Sequence, residues 1–190
     1  MNSTNTVGVN STSFNHLMID AGALYKNYGL ANEALIGATS GGNEFDVKPK
    51  FYQPKIDGVK SSNVRGLEFL TDVDITLKTN LLELTSDILK MALVGQVDTE
   101  TSNEYDIITS KTIITDADYI DNIALVGKIS GSDKPVVIII KNALNIDGIQ
   151  AKREDSKDNV MPVTFTAHVD PNNPSVLPYE VHFPKLTPQA

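Results

Sequence analysis

The chain has 190 residues, a 41% apolar fraction and a formal net charge of -8, with neither cysteine nor tryptophan. Length and apolar content suit one domain with a real core and lie well above the disordered range. The acidic balance argues against a protein that neutralises nucleic-acid phosphates, and the lack of cysteine excludes a disulfide framework and thiolate chemistry.

No apolar run reaches membrane length, and the amino terminus shows no basic stretch followed by an apolar one. The lack of cysteine fits synthesis in a reducing compartment. Met1 to Asn15 is rich in Asn, Ser and Thr and reads as a flexible arm, with residues 16–190 as a single domain. The Asn-x-Ser/Thr matches at Asn2 and Asn10 are compositional accidents on this reading. His16 to Ile19 and Ala23 to Tyr28 read as short strands about a turn at Asp20-Ala21-Gly22. Ser40-Gly41-Gly42 lacks the Gly-Lys-Ser/Thr of a phosphate loop, so it reads as a bend or bulge in a β-protein. Phe45 to Ile56 alternates loosely and carries Pro49 and Pro54, which confine it to a sheet edge or a projecting hairpin. Asp57-Gly58 turns the chain, and Lys60 to Asn63 is a polar tip.

Leu67 to Gly95 organises the rest. Val73, Ile75, Leu77, Thr79 and Leu81 alternate with Asp72, Asp74, Thr76, Lys78 and Asn80, which predicts a strand dry on one face and wet on the other. The period then becomes helical over about Thr85 to Leu93. Leu84, Ile88, Leu89 and Ala92 form the packing side, Thr85 or Ser86 the N-cap, Asp87 a first-turn anion, and Gly95 the stop. A polar loop follows at Val97 to Glu104, then short strands at Tyr105 to Ile108 and Thr112 to Ile114. Ile120 to Ile129 and Val136 to Asn142 make the strongest hairpin, through Ser130 to Asp133. Leu144 to Ala151, Val163 to Val169 and Tyr179 to Phe183 are further strands, with a charged loop at Lys152 to Asn159 and a break at Pro171 to Pro174. Many short strands and one helix predict a mainly β fold: two packed antiparallel sheets, sandwich or barrel-like, with one flanking α-helix.

No residue pattern points to an active site, a metal or a cofactor. His16, His168 and His182 lack the partner spacing of a zinc motif, and Asp116, Asp118 and Asp121 lack the glycine and terminal glutamate of a calcium loop. No Gly-x-Ser-x-Gly elbow occurs, and Asp72 with Asp74 reads as a solvated strand face rather than a catalytic carboxylate pair.

The segments fall in an order that resembles the major tail tube proteins of long-tailed bacteriophages. The matching stretches are MIDAGALYKNYG at Met18 to Gly29, LIGATSGGNEF at Leu35 to Phe45 and KIDGVKSSNVRGLEFL at Lys55 to Leu70. ITLKTNLLELTSDILKMAL at Ile75 to Leu93, DYIDNIALVGKISG at Asp118 to Gly131, PVVIIIKNALNIDG at Pro135 to Gly148 and MPVTFTAHVDP at Met161 to Pro171 continue it. The ordered series carries the likeness, and the part after Pro171 matches least.

The resemblance implies hexameric rings stacked head to tail into a hollow conduit for genome delivery. The subunit would be made in the host bacterial cytoplasm and reside in the virion tail. The implied partners are further copies of the chain, a tape measure protein, a tail terminator and distal tail proteins, with DNA passing through without specific binding and no membrane. Related folds serve contractile tails, tailocins and type VI secretion tubes. On this reading the segment near residues 42–63 projects to the adjacent ring, through Phe45, Lys48, Lys50, Phe51, Tyr52, Lys55 and Asp57. Asp72, Asp74, Thr76 and Lys78 are the candidate inner wall. DNA carries one negative charge per ~1.7 Å of axis, so a neutral or acidic bore lets it slide. A ligand-binding β-sandwich is the competing reading; it is weakened by the missing tryptophan and the 6% aromatic content. A hydrolase on a β scaffold is the third, and no motif argues for it.

Overall fold

The computed structural model describes residues 8–10, 12–61 and 64–185. Among these the chain forms ten strands, one α-helix and two 3-10 turns, so the mainly β expectation holds. The strands are β1 (Ala23–Lys26), β2 (Ala34–Leu35), β3 (Thr39–Tyr52), β4 (Phe69–Leu81), β5 (Gly95–Asp98), β6 (Ile107–Ser110), β7 (Ile120–Gly127), β8 (Val136–Ala143), β9 (Met161–Thr166) and β10 (Tyr179–His182). The helix α1 spans Ser86–Leu93. One antiparallel sheet runs β10-β8-β7-β1-β2, a second runs β3-β4-β9, and β5 pairs with β6.

The two larger sheets face each other across one core. The predicted dry row of β4 supplies Ile75, Leu77 and Leu81, and β9 supplies Met161, Val163 and Phe165. Leu24, Ile123, Leu125 and Ile140 meet them from the other sheet. The apolar runs in β7 and β8 are continuous because both faces of these strands are covered. Ile123 and Ile140 point into the main core, whereas Ala124, Val137 and Ile139 form a second buried cluster with Tyr28 and Val126 packed on it.

The helix is built as its sequence suggests at one end and differently at the other. Thr85 is the N-cap, its hydroxyl accepting from the Ile88 N–H at 3.2 Å, and Asp87 sits in the first turn. The C-terminal left-handed position is taken by Val94 (φ 47°), not by a glycine. Gly95 instead opens β5, where a Cβ would press on the Ile108 side chain and the Thr109 carbonyl. Ile88 and Ala92 are buried and Leu89 is partly buried against the core, but Leu84 is 52% exposed and lies outside the packing side. It precedes the N-cap, so the helical period that places it beside Ile88 does not apply. Replacing Ile88 by Ala should therefore cost ~2–5 kcal/mol, with a smaller loss for Leu89→Ala. Urea midpoints of the two variants test the order, and a larger loss at Leu89 would overturn this packing.

Several predicted strands differ. His16 to Ile19 is not one: a 3-10 turn occupies Ser13–His16, and Met18 makes a single bridge to Ile129. The expected arm over 1–15 is thus docked at its distal end, since Leu17 N–H donates to Ser130 Oγ at 3.1 Å and that hydroxyl donates to the Phe14 carbonyl. Gly131 makes room for this, because a Cβ there would run into the Asn15 backbone. Residues 1–7 and 11 of the expected arm lie outside the described residues. Thr112 to Ile114 is coil, with Ile113 76% exposed, and leads into a 3-10 turn at Asp116–Asp118. Leu144 to Ala151 is also coil: Leu144 makes one bridge to Thr166, and the buried Asn145 amide then donates to the carbonyls of Ala92 (2.7 Å) and Gly148 (2.8 Å). Asn145 thereby satisfies a helix-end carbonyl at the expense of strand pairing. The predicted loop from Val97 begins two residues inside β5.

Candidate assembly surface

β3 and β4 form a long hairpin, and only its base belongs to the layered body. β9 pairs with β4 from Thr76 to Leu81, while β3 pairs with β4 as far as Tyr52–Phe69. The Ala167 N–H still donates to the Ile75 carbonyl at 3.0 Å, and beyond Ile75 the hairpin is a two-stranded ribbon. Gly41 and Gly42, at φ of 80° and 86°, sit in a register shift between Thr39 and Asn43, so the predicted bulge is present. A second shift lies between Lys50 and Phe51, where the Thr71 hydroxyl donates to the Lys50 carbonyl at 3.1 Å. The Asp57-Gly58 turn forms as expected, with Gly58 at φ 85°. The described part of the polar tip, Lys60 and Ser61, is exposed, and residues 62–63 lie outside the description.

The ribbon has two chemically distinct parts. Its outer end is apolar: the neighbouring pairs Phe51–Leu70 and Tyr52–Phe69 are 55%, 52%, 59% and 54% exposed in that order. Adjacent pairs on a ribbon point to opposite faces, so both faces of the tip are apolar and wet. Ile56 and Val59 extend this surface into the loop, beside the exposed Lys55 and Asp57. Of the residues expected to reach a neighbour, Lys48 and Lys50 pair within the chain below the tip, and Phe45 is turned from solvent. It faces inward, packs on the core and meets the Tyr179 ring at 5.9 Å, because its parity along β3 is that of the dry face.

Below the tip, the wet face of the hairpin is a ladder of ion pairs. Lys50 Nζ lies 2.9 Å from Asp72 and 2.8 Å from Asp74. Lys78 lies 2.7 Å from Glu44 and 3.6 Å from Asp46, and Lys48 also pairs with Asp46. Thr76 stands between Asp46 and Thr166 in the register. The hydrogen bond to Asp74, then that to Asp72, holds Lys50 above the usual lysine range, and the Lys50 ammonium holds the Asp72 carboxyl below its ordinary value. All these groups are substantially wet except Asp46, so the pairs set register more than stability. Four carboxylates (Glu44, Asp46, Asp72, Asp74) against three lysines (Lys48, Lys50, Lys78) leave this face at a net charge of -1. Sequence spacing marks Asp72, Asp74, Thr76 and Lys78 as one face, but not the Lys50 clamp between the two aspartates, which depends on pairing across the loop.

The other groups with chemical potential are dispersed. His16 Nδ1 is 2.8 Å from the Thr12 carbonyl, His168 Nδ1 is 3.1 Å from the Asn142 carbonyl, and His182 Nε2 is 2.9 Å from Glu180. Among the described residues no three His, Asp or Glu side chains group as a metal site would require. Asp118 closes a capping box with Thr115 and pairs with Lys111. A cleft of about 430 Å³ lies beside it, lined in part by Lys26, Asp87, Lys90, Asp116 and Tyr119.

The Lys111 ammonium, then the Thr115 N–H, pull the Asp118 carboxyl from its ordinary 3.8 down to about 2. A depressed folded-state value gives stability that is full above the unfolded value and fades as pH falls through the folded one. The acid limb of unfolding between 3.8 and about 2 should therefore be shallower in Lys111→Met. Urea titrations of both proteins across that window test this, and superimposable limbs would remove the pair from the account.

No protein-family model matches the chain, and no curated protein matches it. Among solved structures, it is similar to a chain in the cryo-EM structure of the anti-feeding prophage (AFP) baseplate, 6-fold symmetrised, with 13% identity and a TM-score of 0.39. That similarity covers 79% of this chain and 89% of the other.

Proposed function

We propose that this chain is a structural subunit that assembles with copies of itself into stacked hexameric rings, the tube of a phage-type tail. The observation that carries the reading is the β3–β4 ribbon. It leaves the body of the fold with Phe51, Tyr52, Phe69 and Leu70 exposed at its end, where the described part of the same chain does not cover them. A contiguous apolar surface on a stiff projection is a contact waiting for a partner. The open edges of both sheets, β10 and β2 on one, β3 and β9 on the other, point the same way, because ring closure hides edges that would otherwise template aggregation. The role is structural and asks for no catalysis, metal or cofactor.

Within that reading the ion-pair ladder with Asp72, Asp74, Thr76 and Lys78 lines the bore. A face near neutrality holds passing DNA weakly, which a basic face would not. Tape measure, terminator and distal tail proteins are the further partners the reading implies, and virion tails are where the chain resides. Non-contractile tails are the preferred setting over contractile tails, tailocins or type VI-like tubes.

Electron microscopy of the purified chain over a concentration series tests the proposal. Rings and tubes are expected; a protein that stays monomeric at every concentration would overturn it. A reconstruction of the tubes with Asp72 and Asp74 on the outer wall would remove the bore assignment while leaving the subunit role intact.

A further inference from the structure

We infer that the surface around β6 is the seat for the ribbon tip of a second copy, which makes the contact head to tail. The inference rests on the reading of the ribbon as an assembly contact and adds where it lands. Three observations lead to it: apolar exposure, charge and position.

The β5–β6 pair and its flanks expose Tyr105 (72%), Ile107 (37%), Ile113 (76%) and Ile114 (48%). These residues flank or sit in one four-residue strand, so a single projecting element could cover them together. The tip offers matching apolar material in Phe51, Tyr52, Phe69 and Leu70.

Charge at this seat complements that of the ribbon loop. Residues 98–106 carry Asp98, Glu100, Glu104 and Asp106 and no cation, a net of -4. Asp98 is engaged locally by the Glu100 and Thr101 N–H groups, while Glu100, Glu104 and Asp106 have no ion-pair partner among the described residues. The loop over 53–68 carries Lys55, Lys60 and Arg65 against Asp57 and Glu68, a net of +1 on a chain whose total is -8. Those three cations likewise have no ion-pair partner among the described residues. Opposite charges at the rim of an apolar contact steer encounter and set register.

Position excludes the same contact within one chain. β4 has 13 residues, which at ~3.3 Å per residue span about 40 Å. The tip is at its start, at Phe69; α1, β5 and β6 follow from its end, at Leu81, and α1 packs with Ile88 and Ala92 in the core there. Tip and seat therefore lie at opposite ends of a stiff strand and cannot meet in the same molecule. Between copies, a contact joining different surfaces is heterologous, and it propagates from copy to copy unless its rotation closes a ring; with its two halves at opposite ends of β4, it stacks copies along that strand.

The test uses the full chain, whose lack of native cysteine permits a clean cross-link. A protein with Val59→Cys and Asn103→Cys is treated with a short bismaleimide, and the ladder of cross-linked oligomers is read beside electron micrographs. A ladder is expected, and it should weaken as salt rises. Reversing the seat (Glu100→Lys, Glu104→Lys, Asp106→Lys) or the loop (Lys55→Glu, Lys60→Glu, Arg65→Glu) should each lower ladder yield at least ~10-fold, since like charges facing across a contact cost several kcal/mol. Mixing the two reversed proteins should restore it, because each then presents the complement of the other; this also shows that both are folded. Tubes without a ladder would overturn the seat and leave the subunit reading standing. A ladder without tubes would uphold the seat and remove the tube, and the loss of both would remove both.

Discussion

Replacing residues 50–72 by Asn-Gly should yield a folded protein that no longer forms rings stacked into tubes. The cut is made where Pro49 faces Val73 in the register, so a two-residue turn can close the shortened hairpin. Everything removed lies beyond the reach of β9, which pairs with β4 only from Thr76. The core residues of the hairpin, Ile75, Leu77 and Leu81, remain, and so do the Lys78 pairs with Glu44 and Asp46. Removing only one leg, for example Pro49 to Ser61, would leave Phe69 to Val73 without a pairing partner and confuse loss of contact with loss of fold. Circular dichroism should show the parental β signal, sedimentation should show no species larger than a single ring, and micrographs should show no tubes. Long tubes from this protein would mean that the ribbon is not the contact between rings.

Phe165→Ala should be the most destabilising single truncation of the core. Phe165 is 0% exposed, sits directly opposite Leu77 in the β4–β9 register, and is the largest of the fully buried side chains. Its ring fills the space where β9 faces the other sheet, so truncation removes apolar transfer energy and leaves a cavity that close-packed neighbours fill only in part. The expected loss is ~3–5 kcal/mol, a large share of the ~5–15 kcal/mol that holds a domain together. Urea unfolding should be measured in the ribbon-deleted background, because self-association favours the native state and would mask part of the loss. A loss below that of Ile88→Ala in the same background would place the centre of the core under the helix rather than between the sheets.

The sequence by itself determined the elements whose information is local. The alternation over Val73 to Leu81 set which face of β4 is dry, because side chains in a strand point to opposite sides with a period of two. Thr85 and Asp87 marked the start of α1 through groups within one turn of it, and Gly41-Gly42 marked a bulge that needs positive φ at two successive residues. The β7–β8 hairpin was legible because two apolar runs flank a polar turn. Tertiary structure alone decided what depends on distant pairing. Lys50 meets Asp72 and Asp74 only through the register of a hairpin closed across some twenty residues and shifted at Thr71. The Ser13–His16 turn, closed locally by Asn10 and Thr12, is docked because Ser130 and Gly131 receive it, and Asn145 ends a strand because its amide finds the Ala92 carbonyl. Leu84 looked like part of the helical stripe, yet it falls just before the cap, where the helical period has not begun. Most of all, the ribbon projects because β9 stops at Thr76. A strand's neighbour, unlike its own alternation, is written in another part of the chain.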